Sequence, residues 1–246
     1  MAEHRHAAII GAQRSGSTLL ARILGSHPDV IVAYPERPEP KFFLRSGDHD
    51  EYHRAHFKGG GYLFLEKSTT YLERPDAVLR MRAIPGGVWP IVILRDPVER
   101  ALSNWRFSIE NGLETLPAEE ALTESAEGRP FPHDMSTSPF HYLRRSRYNT
   151  LLSPWLSARG RVGMSILLYE ELISSPEIVV AALDAALGLP VIKRLELPVV
   201  NATDDADEVD VRTLMRLRAT FRADAESVLH LVPSAARLWP TIAGDT

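Results

Sequence analysis

The stretch that most narrows the possible folds is residues 8–25, AIIGAQRSGSTLLARILG. Apolar Ala8, Ile9 and Ile10 read as a strand that runs into a turn of small polar residues. The turn opens a helix from Thr18 to Leu24, with leucines at Leu19, Leu20 and Leu24. A strand–turn–helix of this kind aims backbone N–H groups and the positive helix end at one spot, which makes an anion site. Against the nucleotide-loop template G-x-x-x-x-G-K-[ST], the chain supplies Gly11, Gly16 and Thr18, but Ser17 stands where the lysine belongs. That lysine reaches the β- and γ-phosphates of a nucleoside triphosphate, so its absence argues against cleavage of ATP or GTP. The loop carries a cation at Arg14 instead. Two readings stand at this point: a glycine-rich turn without a ligand, or a cradle for a phosphate-like anion other than a triphosphate tail.

Beyond this stretch, apolar runs bounded by turn residues alternate with helical periodicity, the pattern of an α/β domain with a mainly parallel sheet. Strands are expected at 7–10, 30–33, 62–66, 90–94 and 164–169. Ile91-Val92-Ile93-Leu94 shows no polar alternation, as a central strand covered on both faces requires. Helices are expected at about 74–83, 97–111, 117–125, 140–159, 176–187 and 208–230. Asp96-Pro97-x-Glu99 reads as a helix start, with an aspartate cap, proline at the first position and a capping-box-like glutamate. Segment 126–139 reads as a mobile surface loop and 201–210 as a solvated one. Together these give one P-loop-type three-layer domain over residues 1–246, with a mainly parallel central sheet flanked by helices and a helical flank at about 208–240.

Composition removes several classes of function. Of 246 residues, 44% are hydrophobic and 24% charged, which suits a soluble globular chain with a sizeable core. A net charge of −4 supplies no global basic field for nucleic acid or anionic membrane. The absence of cysteine excludes disulfides, thiolate metal sites and cysteine nucleophiles. MAEHRHAAIIG enters the first strand at once, leaving no room for a signal peptide, and no apolar run approaches the roughly 18 residues of a membrane span. A cytoplasmic location is the expectation. Asn201-Ala202-Thr203 then reads as a chance glycosylation sequon.

In open α/β sheets, ligands sit beyond the carboxyl ends of the strands. There the first strand delivers the Gly11–Thr18 loop and the second delivers Tyr34 to Phe43, with both Glu36 and Glu39. The third delivers Glu66-Lys67-Ser68-Thr69-Thr70-Tyr71, and the fourth delivers Arg95-Asp96-Pro97, with Ser103 and Asn104 two turns into its helix. Arg14, Lys67 and Arg95 bring three cations to an otherwise acidic chain, which implies an anionic ligand. Other features read more plainly. Arg100 is expected on a helix surface or in a capping pair with Asp96, and Arg144, Arg145 and Arg147 as a charged helical face, one of them free to meet an anion. His49, His53 and His56 have spacings that suit a metal, but a polar amphipathic helix is the simpler account. Asn201, Trp105 and Trp155 read as structural, and Leu214, Leu217, Phe221, Val228 and Leu231 as a core stripe.

The combination G-x-x-R-S-G-[ST]-T-L-L, E-P-K-F-F, E-K-S-x-x-Y and L-R-D-P-x-E-R-x-x-S resembles the sulfotransferases that use 3′-phosphoadenosine 5′-phosphosulfate (PAPS). The branch it is most similar to contains the heparan-sulfate sulfotransferases and their bacterial relatives. The likeness runs from Ile9 to about Trp155 and continues more weakly through Val199-Val200-Asn201 and the C-terminal helix. It implies that Gln13, Arg14, Ser15, Gly16, Ser17, Thr18 and Leu19 form the phosphosulfate loop, with Arg14 where many members carry lysine. It further implies that Arg95 and Ser103 hold the 3′-phosphate, that Glu39 is the general base, and that Lys67 lies near the sulfuryl group. Glu36 is the rival base, disfavoured by its spacing to Phe42-Phe43. Tyr148 falls where relatives place an aromatic that contacts cofactor or substrate.

What the likeness implies is an O-sulfotransferase that releases 3′-phosphoadenosine 5′-phosphate (PAP), needs no metal, and acts on a hydroxyl of a small molecule, lipid or carbohydrate. Without a broad basic face, a long heparan-like polyanion is disfavoured as acceptor. A P-loop kinase of nucleotides or small molecules, and a non-catalytic nucleotide-binding module, are the alternatives.

Overall fold

A computed structural model describes residues 6–133, 135, 137–160, 163–191 and 209–244. The chain begins with β1 (His6–Gly11), α1 (Ser17–Gly25), β2 (Val30–Val32), α2 (His49–His56), β3 (Leu63–Lys67), α3 (Asp76–Ala83) and β4 (Val88–Leu94). It continues with α4 (Pro97–Glu110), α5 (Ala118–Ala121), α6 (Glu124–Glu127), α7 (Tyr148–Arg159), β5 (Ser165–Leu168) and α8 (Tyr169–Ser174). It closes with α9 (Pro176–Leu187), α10 (Val211–Ser227), α11 (Ala235–Leu238) and α12 (Pro240–Ala243). The described residues fall into two compact units, drawn from Met1–Leu94 with Leu152–Val200 and from Arg95–Leu151 with Asn201–Thr246.

The first unit holds the sheet, in the order β2-β3-β1-β4-β5 with every neighbouring pair parallel. Ile91 to Leu94 are fully buried, so both faces of β4 are covered, as its unbroken apolar run requires. One face packs Ile9, Leu65 and Ile93 against Leu20, Ile23 and Leu24 of α1 and Val180, Leu183 and Leu187 of α9. That packing brings α1 so near β2 that a Cβ on Gly25 would lie 2.6 Å from Val32 Cγ2. The expected strands are all present, each within two residues of its expected bounds.

The second unit is helical. Val98, Ala101, Leu102 and Trp105 of α4 pack with Leu217 and Phe221 of α10 in its core. Asp96 caps α4, accepting from the N–H groups of Val98 (2.9 Å) and Glu99 (3.1 Å), and its carboxylate also takes the Thr241 N–H (2.9 Å) and hydroxyl (3.0 Å). One carboxylate therefore starts α4 and pins α12 to it.

Three expectations change here. Arg100 is fully buried rather than on the surface, and it donates to Ser146 Oγ (2.6 Å), Asn104 Oδ1 (3.1 Å) and the Tyr142 carbonyl. A guanidinium with five donors bridges segments far apart in sequence, which local periodicity does not reveal. The expected helix 140–159 is α-helical only from Tyr148, because Arg145 turns inward to the Ser138 carbonyl (2.8 Å) and Thr137 Oγ1 (3.1 Å) and residues 144–146 form a 3₁₀ turn. Arg145 is thus no part of an exposed charged face. The helix expected at 117–125 is two short ones, the second restarted by the Thr123 hydroxyl accepting from Ala126 N–H. Residues 199–208, including Asn201, lie outside the described residues.

Candidate active site

The turn after β1 ends on a helix start without a side-chain cap. Gly16 is the N-cap of α1, with φ 85°, and no side chain caps the helix and no acidic residue stands in its first turn. A Cβ at Gly16 would come 2.6 Å from the Tyr169 ring, so both conformation and space demand glycine. Arg14 holds a left-handed φ of 66° and is half-buried, as are Gln13 and Thr18. Ser15 is fully buried, and its hydroxyl has no hydrogen-bond partner among the described residues. An uncapped helix start beside an unsatisfied hydroxyl fits a phosphate-like anion. Leu19 differs from its loop neighbours: its side chain belongs to the core, leaving only its N–H for a ligand.

The ends of β2 and β3 meet at Glu39. Its Oε1 accepts from Lys67 Nζ at 2.7 Å, and its Oε2 accepts from the Thr69 N–H at 3.0 Å. The Thr69 hydroxyl lies 3.1 and 3.2 Å from the two carboxylate oxygens. The Glu39 and Lys67 side chains are only 17% and 14% exposed, so the pair is screened from bulk water yet reachable. Glu36 is exposed. The structure therefore separates the two carboxylates that the sequence left in competition: Glu39 is the one fixed in place.

Behind Glu39 lies a second layer that sequence reasoning quoted without assigning. Glu66, fully buried, accepts from the hydroxyls of Tyr52 (2.9 Å), Ser68 (2.6 Å) and Tyr71 (2.5 Å). Ser68 Oγ in turn accepts from the Lys41 N–H (2.9 Å), and Tyr71 Oη accepts from the Phe43 N–H (3.0 Å). Arg80 of α3 adds a bond to the Phe43 carbonyl at 3.0 Å. The segment that follows Glu39 is thus pinned at alternate residues, through a turn in which Lys41 has φ 52°. Burial raises the Glu66 carboxyl above its ordinary value, against the opposing pull of the three hydroxyls. The signal was present in the motif itself, since Glu66, Ser68, Thr69 and Tyr71 all lie in the same six residues as Lys67.

Beside this pair the first unit contains a cavity of about 270 Å³. Lys67, Thr18, Pro40, Arg22 and Glu36 are among the residues that line it.

In the second unit, Arg95 follows directly on the last residue of β4, and its guanidinium lies 3.5 Å from Glu99. Tyr148, fully buried, donates its hydroxyl to the Arg95 carbonyl at 2.6 Å, with its ring 5.8 Å from that of Trp239. Its visible task is to hold the Arg95 backbone. Ser103 is half-buried on α4. Of the three histidines, His49 and His53 turn toward His6, with ring centroids 5.4 and 6.0 Å away, whereas His56 packs on Phe42 and reaches the Tyr34 carbonyl. They do not converge on one point.

Residues 7–59 match the sulfotransferase family. The chain is 29% identical over 178 residues to heparan sulfate glucosamine 3-O-sulfotransferase 3B1 of Mus musculus, covering 69% of this chain and 42% of that protein. It is 27% identical over 194 residues to bifunctional heparan sulfate N-deacetylase/N-sulfotransferase 1 of Caenorhabditis briggsae, covering 74% and 22%. The chain thus spans less than half the length of these curated relatives. Among solved structures, a sulfotransferase from Alicyclobacillus acidocaldarius superposes with a TM-score of 0.72 at 26% identity, covering 93% of this chain and 95% of that one. The chain is thus similar to sulfotransferases, through the family match over residues 7–59 and through that structure over nearly its full length.

Proposed function

We propose that the protein transfers a sulfuryl group from PAPS to an acceptor hydroxyl, with Glu39 as general base. The observation that carries this reading is the Glu39–Lys67–Thr69 cluster, an acid–base group held at strand ends in the same unit as an uncapped helix start. When bound, PAPS supplies the activated sulfuryl group and a nucleotide leaving group.

The chain's own residues divide the remaining work. The loop amides of residues 14–19, with Arg14 and the Ser15 hydroxyl, hold the 5′-phosphosulfate. Arg95 and Ser103 take the 3′-phosphate, and Tyr148 steadies Arg95 through its carbonyl. Arg14 presents a planar fork rather than a point charge, which suits two oxygens at once. Glu39 removes the acceptor's O–H proton as that oxygen bonds to sulfur and the bridging S–O bond to the 5′-phosphate breaks. Lys67 has three donors, one of them on Glu39, and stabilises the charge moving through the reaction centre together with the loop amides. Thr69 orients the carboxylate with two donors from one residue.

Thermal-shift measurements with PAP, ATP and ATP plus Mg²⁺ test the nucleotide assignment. PAP is expected to stabilise without metal, and a preference for Mg-ATP overturns the reading in favour of a kinase. Glu39→Gln is expected to lower transfer from labelled PAPS by about 10²- to 10⁴-fold while leaving the PAP shift intact.

A further inference from the structure

We infer that the acceptor is a small neutral alcohol or phenol whose hydroxyl sits on an apolar body, bound in the cavity beside Lys67. The inference rests on the sulfuryl-transfer reading above and assigns that site its substrate class.

Size is the first argument. About 270 Å³ lies just below the roughly 300 Å³ at which pockets for drug-sized ligands begin. A single ring system or short chain fills it, and a polysaccharide segment does not. Chemistry is the second. Ala21, Gly25, Val32, Ala33 and Pro40 make up half of the lining residues, and they offer no side-chain hydrogen-bond partner. A sugar unit brings hydroxyls on nearly every carbon, and burying them against such side chains leaves them unpaired at a cost in binding. Ser26, the further polar lining residue, already donates its hydroxyl to the Ile23 carbonyl at 2.7 Å.

Charge is the third argument. The ionisable groups at the cavity and its reactive edge are Arg22, Glu36, Lys67 and Glu39, the partner of Lys67, and their formal charges cancel. A sulfated or carboxylated sugar would need a surplus of cations here, and the cavity supplies none. Thr18 and Lys67 line the cavity, and Lys67 ties it to Glu39 through a 2.7 Å bond. An acceptor with one hydroxyl matches that arrangement: the hydroxyl lies toward Glu39 and the apolar body lies along Ala21, Val32 and Ala33.

The experiment compares transfer from labelled PAPS to 2-naphthol, 1-octanol, methyl glucoside and an N-sulfated glucosamine disaccharide, with PAP thermal shifts run alongside. At least one of the two apolar acceptors is expected to exceed both sugars in kcat/KM by about tenfold or more. Ala21→Leu, which narrows the cavity, is expected to lower kcat/KM for that acceptor about tenfold through KM with the PAP shift retained. Glu36→Lys, at an exposed position, is expected to raise use of the sulfated disaccharide several-fold relative to naphthol. Preference for either sugar overturns the inference, as does PAP binding without turnover of either apolar acceptor. Absence of a PAP shift in the unaltered protein instead removes the sulfuryl-transfer reading itself.

Discussion

Glu66 in the sheet-containing unit and Glu114 in the helical unit are both buried, yet their surroundings treat the charge in opposite ways. Glu66 accepts from the hydroxyls of Tyr52, Ser68 and Tyr71, and burial holds its carboxyl above the ordinary range. Burial acts on Glu114 in the same direction but is outweighed. Arg129 grips it with two bonds of 2.9 and 2.5 Å, the Leu116 and Thr115 N–H groups add two more, and Tyr142 a fifth, bringing it down to about 2. The difference separates two uses of a buried acid. A cation-clamped carboxylate stabilises a fold, whereas a hydroxyl cage gives up charge stabilisation to place backbone groups. Those groups are the Lys41 and Phe43 amides that follow Glu39.

The comparison breaks most readily at Arg129. Arg129→Ala leaves Glu114 buried without its cation and is expected to cost about 3 kcal/mol in a urea melt, with kcat of the folded protein kept. Glu66→Gln is expected to do the reverse in emphasis: a loss of about 1–3 kcal/mol, together with a fall in kcat of about 10- to 100-fold as Glu39 shifts. A Glu66→Gln protein with full kcat would reduce the hydroxyl cage to a packing feature.

The pH dependence sharpens the contrast. Glu114 has a lowered value, so its contribution is present above the ordinary carboxylate range and disappears as pH falls toward about 2. Glu66 has a raised value, so the folded state binds that proton more tightly and its contribution grows as pH falls from the raised value to the ordinary one. Urea melts from pH 4 to 8 should show the stability gap between parent and Glu66→Gln widening in favour of the parent at the acid end. Parallel slopes for the two proteins would remove the distinction. Thr69→Val keeps the backbone bond to Glu39 and loses the hydroxyl, with an expected effect of about 1 kcal/mol on the transfer barrier, read from kcat/KM. Arg222→Ala, in an exposed pair with Glu226, should change the melt by less than about 0.5 kcal/mol and serves as the baseline.

Much of the first unit was legible in the chain because its signals are local. Apolar runs between turn residues mark all five strands, and a proline after an aspartate marks the start of α4. The loop at Gly16 was readable for the same reason, since the left-handed turn and the helix start are consecutive residues. The second unit was read less well. Arg100 and Arg145 look like surface cations in any local window, and their burial depends on Ser146, Tyr142, Asn104 and Ser138 converging from elsewhere.

The site divides along the same line. Strand-end positions brought Arg14, Glu39, Lys67 and Arg95 forward, because strand ends are where an α/β sheet presents its chemistry, and the family resemblance supplied the roles of Glu39 and Ser103. Motif spacing favours Glu39 over Glu36, and only in three dimensions does it emerge that Lys67 and Thr69 close on the Glu39 carboxylate. The hydroxyl cage around Glu66 and the neutral, apolar cavity are likewise tertiary facts. Periodicity records which face of an element is buried, and it carries no record of which distant groups share that burial.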